Sequence, residues 1–509
     1  MDDSDDTQTT ADGRTTRRTI IGAGAGAAAA GVLARAGVAD AKKPHKPHKR
    51  KPRKRKADVI VVGAGIAGLT AARKIVASGK SVLVLEARGR VGGRVLNHDI
   101  GGGNVTELGG QFVGPTQDHI IGLSDELGVE RFKAYDTGDN VFYIGGNRST
   151  ASSALPTGQI PPAVAPEALA AVTQLDNMAS SVPIDSPWTA PSASDWDSQT
   201  LHTWLKNNSK SDQFFAVASA ATEAIFGGEP REISLLYTLF YIAASGNEQN
   251  PGTFERNFST ANGAQEQRYV GGSQLVPLKM AQQLGRRVVL HTPVRRIAHG
   301  KSTVRVDSDR HSFYAKRVIV AIPPTLCGRI RYDPKLPALR DQLTQRMPQG
   351  TLMKAEAVYD KPFWRDDGLT GQAVSDAGPA KVTFDNSPPD GSVGVLMGFI
   401  GGTAARQHMQ KSADEQRAAA LQSFATYFGD KAKSPTTFVQ QNWAEETWSR
   451  GGPVALVSPG TYLDFGPLLR APQGKIHWAG TETSTYWNGY MDGAVRSGER
   501  AAAEVLAEV

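Results

Sequence analysis

Apolar residues fall into short continuous runs separated by stretches with helical spacing, a pattern typical of alternating strands and helices. The β-branched run over 58–62 predicts a buried parallel strand. A helical pattern follows it through Ser78, where Gly79 can supply the C-cap. A second strand is predicted over 81–85. Together these elements predict an α/β fold with a Rossmann-like domain.

Three later segments depart from this alternation. Residues 233–244 form an unusually apolar helical pattern, which predicts core rather than the lining of a pocket. Residues 351–359 predict an apolar strand that carries Lys354, where a solvated lysine would be out of place. Residues 150–198 are rich in Pro, Ser and Ala around a helical stretch over 167–178. We expect a long excursion near an active-site entrance there, with a surface loop of no role as the alternative.

Composition sets the class of protein. The 509 residues are 40% hydrophobic and 21% charged, which excludes a disordered chain. At roughly 100–200 residues per domain, this length predicts two to four domains that each bury a core. The single cysteine, Cys327, excludes an intrachain disulfide framework and a Cys-rich zinc or iron–sulfur site. No metal site is predicted.

Net charge is concentrated at the N-terminal end of the chain. Residues 1–56 hold fourteen Lys and Arg against six Asp, a net of +8, whereas the whole chain carries +7. The other 453 residues therefore carry −1, and no basic face is predicted on the folded body. This distribution argues against a nucleic-acid-binding protein, whose charge normally lies on the folded surface.

Residues 1–41 resemble a twin-arginine export signal. Arg17 and Arg18 precede a Gly- and Ala-rich stretch over 20–34, and residues 39–41 supply a small-x-small cleavage pattern. A short membrane anchor or a buried helix is the alternative, but the apolar run is shorter than the ~20 residues that a membrane span needs. We expect export to the periplasm, the cell envelope or the medium, and no transmembrane helix.

A basic linker follows over 42–56, with ten cations among fifteen residues. Its first interpretation is a self-repelling, extended spacer. Its second is adhesion to anionic polymers or lipid headgroups of the cell envelope.

A dinucleotide-binding motif opens the folded body. Gly63, Gly65 and Gly68 have GxGxxG spacing directly after the first strand, and Glu86 follows the second strand. Gly63 permits the tight turn, Gly65 lets the backbone approach a pyrophosphate, and Gly68 lets the helix pack on the strand. The N–H groups at the helix N-terminus would face the phosphates. Glu86 would accept both ribose hydroxyls, which disfavours NADP.

The residues that follow this unit resemble those of FAD-dependent amine oxidases. Six segments match in the expected order, so the similarity spans essentially all of residues 57–509. The chain is thus identified as a member of the flavin monoamine oxidase family on EARGRVGGR at 86–94, ELGGQFVGPTQ at 107–117, TPV at 292–294, VIVAIPP at 318–324, LMK at 352–354 and WAGTETSTYWNGYMDGAVRSGERA at 478–501.

The resemblance implies an FAD site built from residues scattered along the chain. Arg88 and Arg94 can neutralise the pyrophosphate or order the loop that covers it. Val294 is expected to end a strand and to offer its backbone to adenine. The implied cofactor contacts are Gly63, Gly65, Ala67, Gly68, Glu86, Arg88, Gly93, Arg94, Gly110, Gln111, Val294, Gly480, Thr481, Glu482 and Met491.

Two departures from the family pattern affect the flavin. Pro453 stands where some relatives carry a cysteine linked to the flavin, so non-covalent FAD is expected. Family members can also frame the substrate between two aromatic side chains. Tyr490 keeps one of them, but Val454 follows Pro453, so an aliphatic second wall is expected.

The resemblance also supplies the catalytic candidates, which are Lys354, Tyr490 and Trp443. The lysine that matches Lys354 in the family holds a water against the flavin and assists the reaction with oxygen. Tyr490 would orient a neutral amine without requiring a charge. Trp443 resembles a family tryptophan near the flavin ring, with simple packing as the alternative.

The implied activity is oxidation of a primary amine, aromatic or long-chain, by O₂ to an aldehyde, ammonia and H₂O₂, so the expected partners are a small-molecule amine and O₂. An L-amino acid oxidase of the same superfamily is the nearest rival, and it would need an arginine for the substrate carboxylate. Polyamine oxidation would need acidic residues in the pocket. A non-catalytic flavin-binding protein is the alternative from another class. The oligomeric state is left open.

The layout of the family predicts two interleaved domains. The FAD-binding domain is expected over 57–131, 270–344 and 447–509, and an α+β substrate-binding domain over 132–269 and 345–446.

Overall fold

The computed structural model describes residues 55–155, 158 and 160–509. The export signal over 1–41 and all but the end of the basic linker lie outside the described residues.

A five-stranded sheet in which all strands run parallel carries the dinucleotide motif. Its strands bring together distant parts of the chain, because Val59–Val62 pairs on one side with Val82–Leu85 and on the other with Arg317–Val320. Both faces are covered, and the β-branched residues of these strands are buried as their continuous apolar runs predict. In spatial order the strands are Val288–Val289, Val82–Leu85, Val59–Val62, Arg317–Val320 and Ile476–Trp478.

Two helices pack against each other on this parallel sheet. The first, Ile66–Ala77, follows the glycine turn and ends one residue before the predicted position, with Gly79 at φ +76°. The second is the C-terminal helix Met491–Leu506. They approach closely at Gly498, where a Cβ would lie 2.3 Å from the carbonyl oxygen of Ala67.

A second five-stranded sheet and two small antiparallel strand pairs flank the nucleotide unit. Val294 begins a strand rather than ending one, because the preceding Pro293 has no N–H to donate to a ladder. The flanking sheet contains Arg55–Lys56, Ser312–Ala315, Val304–Ser308, Val294–His299 and Arg331–Asp333. The two small pairs are Asn97–Gly101 with Asn104–Glu107, and Arg131–Lys133 with Gln267–Tyr269.

A seven-stranded sheet forms the other side of the described body. Its strand Leu352–Tyr359 pairs antiparallel with both neighbours, and all eight of its residues are buried. This strand is the one predicted over 351–359. In order the sheet contains Thr437–Asn442, Leu352–Tyr359, Gly394–Gly401, Val382–Asp385, Leu369–Ser375, Asp139–Ile144 and Asn147–Ser152.

A helical layer faces this sheet, and the helix predicted over 167–178 is found in it as Ala165–Ala179. Serine caps begin two of its helices, because Ser211 accepts from the N–H of Phe214 and Ser234 from that of Tyr237.

The remaining α-helices of the described residues, in this layer and elsewhere, are Asp118–Glu126, Ala193–Asp197, Leu201–Asn208, Asp212–Phe226, Leu235–Ala243, Leu275–Leu284, Pro324–Cys327, Ala338–Arg346, Gly402–His408, Ala413–Phe428 and Tyr462–Phe465.

The predicted fold class is confirmed, since a parallel nucleotide-binding sheet is joined to a mixed α+β part. The boundaries of the two interleaved domains stay a prediction. None of the helices in the described residues is long and apolar enough to cross a membrane.

Candidate active site

One cavity runs from the carboxyl edge of the parallel sheet to the space between the helical layer and the seven-stranded sheet. Gly68, Val294 and Glu482 lie outside its wall. The other predicted site residues line it: Gly63, Gly65, Ala67, Glu86, Arg88, Gly93, Arg94, Gly110, Gln111, Lys354, Trp443, Gly480, Thr481, Tyr490 and Met491.

The helix Ile66–Ala77 presents its N-terminus to this cavity. Its N-cap, Gly65, has no side chain to accept from the first N–H groups. A Cβ on Gly65 would meet no atom within 4 Å, whereas one on Gly63 would lie 2.7 Å from the carbonyl oxygen of Ala321. Gly63 therefore permits the turn, and the open space before Gly65 lets a phosphate approach the free N–H groups.

Gly68 and Glu86 fix the shape of this turn. A Cβ on Gly68 would lie 2.1 Å from the carbonyl oxygen of Gly63, so the helix can pack on its own turn only with glycine there. Glu86 is buried, and its two oxygens accept from the N–H groups of Ala64 at 2.7 Å and Arg88 at 2.9 Å. A carboxylate has about four lone-pair sites, so Glu86 can still accept from ribose hydroxyls.

Arg88 has an N–H group without an acceptor. Its Nη2 donates to Ser449 Oγ at 2.8 Å, and its Nε lies 3.5 Å from a carboxylate oxygen of Glu446. That Nε is buried and makes no hydrogen bond. A buried guanidinium N–H in the wall of a cavity fits an anionic acceptor such as a pyrophosphate oxygen.

Arg94 and Glu482 form a bidentate ion pair with each other. The Arg94 Nη1 and Nη2 atoms lie 2.5 and 3.0 Å from the two oxygens of Glu482, which is 1% exposed. Nη1 also donates to the carbonyl oxygen of Pro453 at 2.8 Å. In this structure Arg94 thus connects the loop after the second strand to the segments around Pro453 and Glu482, which is the loop-ordering alternative of the sequence analysis.

Lys354 has its head group buried beside the glycine-rich segment that includes Gly109. Its Nζ donates to the carbonyl oxygens of Glu107 and Gly109 and to the side-chain oxygen of Gln111. Burial lowers the pKa of Lys354 below its usual value, against the opposing effect of the Glu356 and Glu107 charges. A lysine with this environment in the wall of a cavity is a candidate for chemistry rather than for solubility.

The aromatic wall is not the one predicted. Val454 is fully buried and lies outside the cavity wall, so the expected aliphatic second wall is wrong. Tyr241 instead lies beside Tyr490, with ring centroids 5.8 Å apart and planes at 40°. Trp443 also lines the cavity, and its indole N–H donates to the carbonyl oxygen of Leu108 at 2.8 Å.

Comparison with known proteins identifies the family. The model of flavin-containing amine oxidoreductases matches residues 66–506. The chain belongs to this family. It is 41% identical to a protein of Mycobacterium tuberculosis named as flavin-containing monoamine oxidase AofH, over 88% of this chain and 96% of that one.

Solved structures agree with this assignment. Cyclohexylamine oxidase from Brevibacterium oxydans IH-35A superposes with a TM-score of 0.83 and 35% identity, over 89% of this chain and 99% of that one. Putrescine oxidase bound to putrescine gives a TM-score of 0.83 and 33% identity over the same shares.

As a flavin amine oxidase, the protein uses FAD and oxidises amines. The free N–H groups at the helix N-terminus, the open space at Gly65 and the Arg88 guanidinium in the wall all fit a dinucleotide. Pro453 lines the cavity, whereas Cys327 is buried away from it with the pKa of its thiol raised to about 12 by burial. The chain therefore offers the flavin no thiol, and FAD is bound non-covalently.

The far end of the cavity was predicted only in part, by the excursion over 150–198 that the sequence analysis expected near an active-site entrance. The excursion reaches it, since Ala171 and Leu175 of the helix Ala165–Ala179 line the wall. The helix Asp212–Phe226 adds Ala218 and Ala221, which its three-residue spacing places on one face. That spacing of small residues on one face of the helix was the sequence signal that could have predicted a cavity wall there.

Tyr241 was missed for a related reason. It lies in the helix Leu235–Ala243, which the sequence predicted as core, and the other residues of that helix bear this out. Within the described residues, no group of three or more His, Cys, Asp or Glu could hold a metal ion.

Proposed function

We propose that this flavin amine oxidase acts on primary monoamines with a long or bulky apolar side chain. The distribution of charge in the cavity carries the proposal. Among the described wall residues, the only charged ones are Glu86, Arg88, Arg94 and Lys354, and all four lie at the end assigned to the cofactor. The rest of the wall is apolar or neutral, so an uncharged side chain is the one it would bind at least desolvation cost.

This distribution disfavours the two rival substrate classes. An amino acid carboxylate would need a basic partner at the far end, and a diamine would need an acid there. Putrescine, the diamine bound by one structural relative, therefore fits less well than cyclohexylamine, the substrate named for another.

When bound, FAD supplies a two-electron acceptor for the carbon–nitrogen bond of the amine. The amine loses two electrons and two protons, water hydrolyses the imine to an aldehyde and ammonia, and O₂ takes up the electrons and protons as H₂O₂. Tyr490 and Tyr241, whose rings lie against each other, would together form an aromatic wall that orients the neutral amine. Lys354 would place its ammonium charge at the wall beside the flavin and assist the oxygen step, and Trp443 would pack beside the ring system.

The test is peroxide release by the FAD-loaded protein in air. The panel contains n-alkylamines of increasing length, cyclohexylamine, phenylethylamine, tyramine, putrescine and a set of L-amino acids. We expect turnover of the apolar monoamines with kcat/KM rising with chain length. Preferential turnover of putrescine or of amino acids would refute the proposed substrate class and leave the family assignment intact.

We also propose that residues 1–41 direct twin-arginine export and that residues 42–56 act as an extended spacer. The support is the Arg17–Arg18 pair, the Gly- and Ala-rich stretch and the dense positive charge. Replacing both arginines with lysine should stop export of the full chain, which cell fractionation would detect. Deleting 42–56 should leave retention on anionic surfaces unchanged if the segment is only a spacer.

A further inference from the structure

Lys354 is one of four charged side chains that are buried together beside the cavity wall. Lys354 and Glu356 lie two residues apart on one strand, so they share a face, while Glu107 and Arg268 come from the two small strand pairs. Each of the four is at most 3% exposed. Arg268 Nη2 lies 2.6 Å from Glu107 Oε2, and Lys354 Nζ lies 3.3 Å from Glu356 Oε1. The group therefore consists of two ion pairs with no net charge.

Glu356 is held in place by neutral donors on its other oxygen. Its Oε2 accepts from Thr106 Oγ1 at 2.9 Å and from Asn386 Nδ2 at 3.3 Å. Its Oε1 is buried and makes no hydrogen bond, although the Lys354 ammonium is the cation that it faces. One oxygen thus fixes the carboxylate, and the other presents its charge to the lysine.

The neighbouring strands bring no competing charge to this pair. Lys354 is paired with Phe399 on one side and Gln441 on the other, and Met397 and Val439 flank Glu356. The charged groups that face the pair are therefore Glu107 and Arg268, which largely compensate each other. Glu356 is the carboxylate left to balance the lysine.

We propose that Glu356 is a positioning residue for Lys354, whose carboxylate keeps the ammonium protonated and directed at the cavity wall. The inference rests on the proposed role of Lys354 in the oxygen step. Burial alone lowers the pKa of Lys354 and raises that of Glu356, so each charge persists because the other lies beside it. Without the Glu356 charge, the lysine should lose its proton at a lower pH.

The test measures the protonation of Lys354 directly in the FAD-loaded full chain. Lysine labelled with ¹³C at Cε gives a resonance that shifts on deprotonation, and Lys354→Met identifies the signal. In Glu356→Gln the titration midpoint of Lys354 should fall by at least about one pH unit. In Glu356→Asp, which keeps the charge, the midpoint should stay close to its wild-type value. An unchanged midpoint in Glu356→Gln would overturn the proposal.

A second variant guards against misfolding of the first. Thr106→Val keeps the side-chain volume but removes a hydrogen bond to Glu356, and it should move the lysine midpoint in the same direction by a smaller amount. Whichever of the two variants folds decides the question. The role of Lys354 in the oxygen step is tested independently of Glu356. It would be refuted if Lys354→Met left flavin reoxidation at the wild-type rate.

Discussion

Replacing Arg94 with methionine tests whether this arginine is chiefly a partner of Glu482. The substitution keeps an unbranched side chain of similar reach and removes both charged hydrogen bonds to the carboxylate. Apart from Arg94, the side chain that donates to the Glu482 carboxylate is Gln349, through Nε2 at 3.4 Å. The variant would therefore leave a carboxylate that is 1% exposed without a cation.

The magnitude follows from burial. Removing one member of a buried ion pair typically costs 3–5 kcal/mol. The Arg94 side chain is itself 22% exposed, so water can partly replace it, and we expect the lower end, about 3 kcal/mol. Lys74→Met is the matched control, because Lys74 is 55% exposed and its pair with Glu499 should contribute no more than about 1 kcal/mol.

The pH dependence gives the sharper signature. Burial opposes ionisation of Glu482, but the charge and hydrogen bonds of Arg94 outweigh it and lower the pKa of the carboxyl. Without Arg94, burial outweighs the hydrogen bonds that remain and raises this pKa above that of the unfolded chain. The deficit of Arg94→Met should therefore be largest at neutral pH and shrink as the pH falls, because protonation removes the buried charge.

The assay is urea unfolding of the FAD-free full chain between pH 5 and 8, followed by tryptophan fluorescence. Arg94→Met combined with Glu482→Gln should recover most of the lost stability. If Arg94→Met is no less stable than Lys74→Met, or if its deficit does not change with pH, the ion pair is not what Arg94 contributes. A loss confined to FAD affinity would instead identify Arg94 as a phosphate ligand.

Three further outcomes are expected. Lys354→Met should slow flavin reoxidation in stopped-flow experiments far more than flavin reduction, and equal effects would remove the oxygen role. Ala221→Phe should abolish the rise of kcat/KM with alkylamine length, about fourfold per buried methylene in the wild type, while Ala216→Phe outside the wall should preserve it. Gly498→Ala should destabilise by about 1–3 kcal/mol because its Cβ meets a backbone carbonyl at 2.3 Å, whereas Gly122→Ala, with nothing within 4 Å, should gain roughly 0.5–1 kcal/mol in the same denaturation assay.

The nucleotide unit could be predicted from the sequence because local rules determine it. A β-branched run, three spaced glycines and an acid after the second strand each have one common structural reading. The strand Leu352–Tyr359 was equally accessible, since an apolar run of that length around one lysine has few alternatives. These elements are found within one or two residues of their predicted ends.

Long-range pairing could not be predicted in the same way. Arg94 and Glu482 are 388 residues apart, and each has a charge that suits a cofactor as well as it suits the other. Tyr241 was hidden in a helix whose remaining residues are core, because periodicity tells which face is buried but not whether that face meets a cavity. Val454 was wrongly predicted to line the cavity, because a residue that follows a wall residue in sequence need not itself face the cavity.

The separation of charge along the cavity links these findings to function. The four charged wall residues lie at the cofactor end, where a dinucleotide offers anionic and polar partners. The far end is built from small and aliphatic side chains, including Ala221 of one helix and Ala171 of the excursion. A charged substrate group would lose its hydration there without gaining a partner. Transfer of each apolar group from water into this end of the cavity is favourable in free energy. The same fold can therefore hold a highly charged cofactor and still select an amine by the size and apolarity of its side chain.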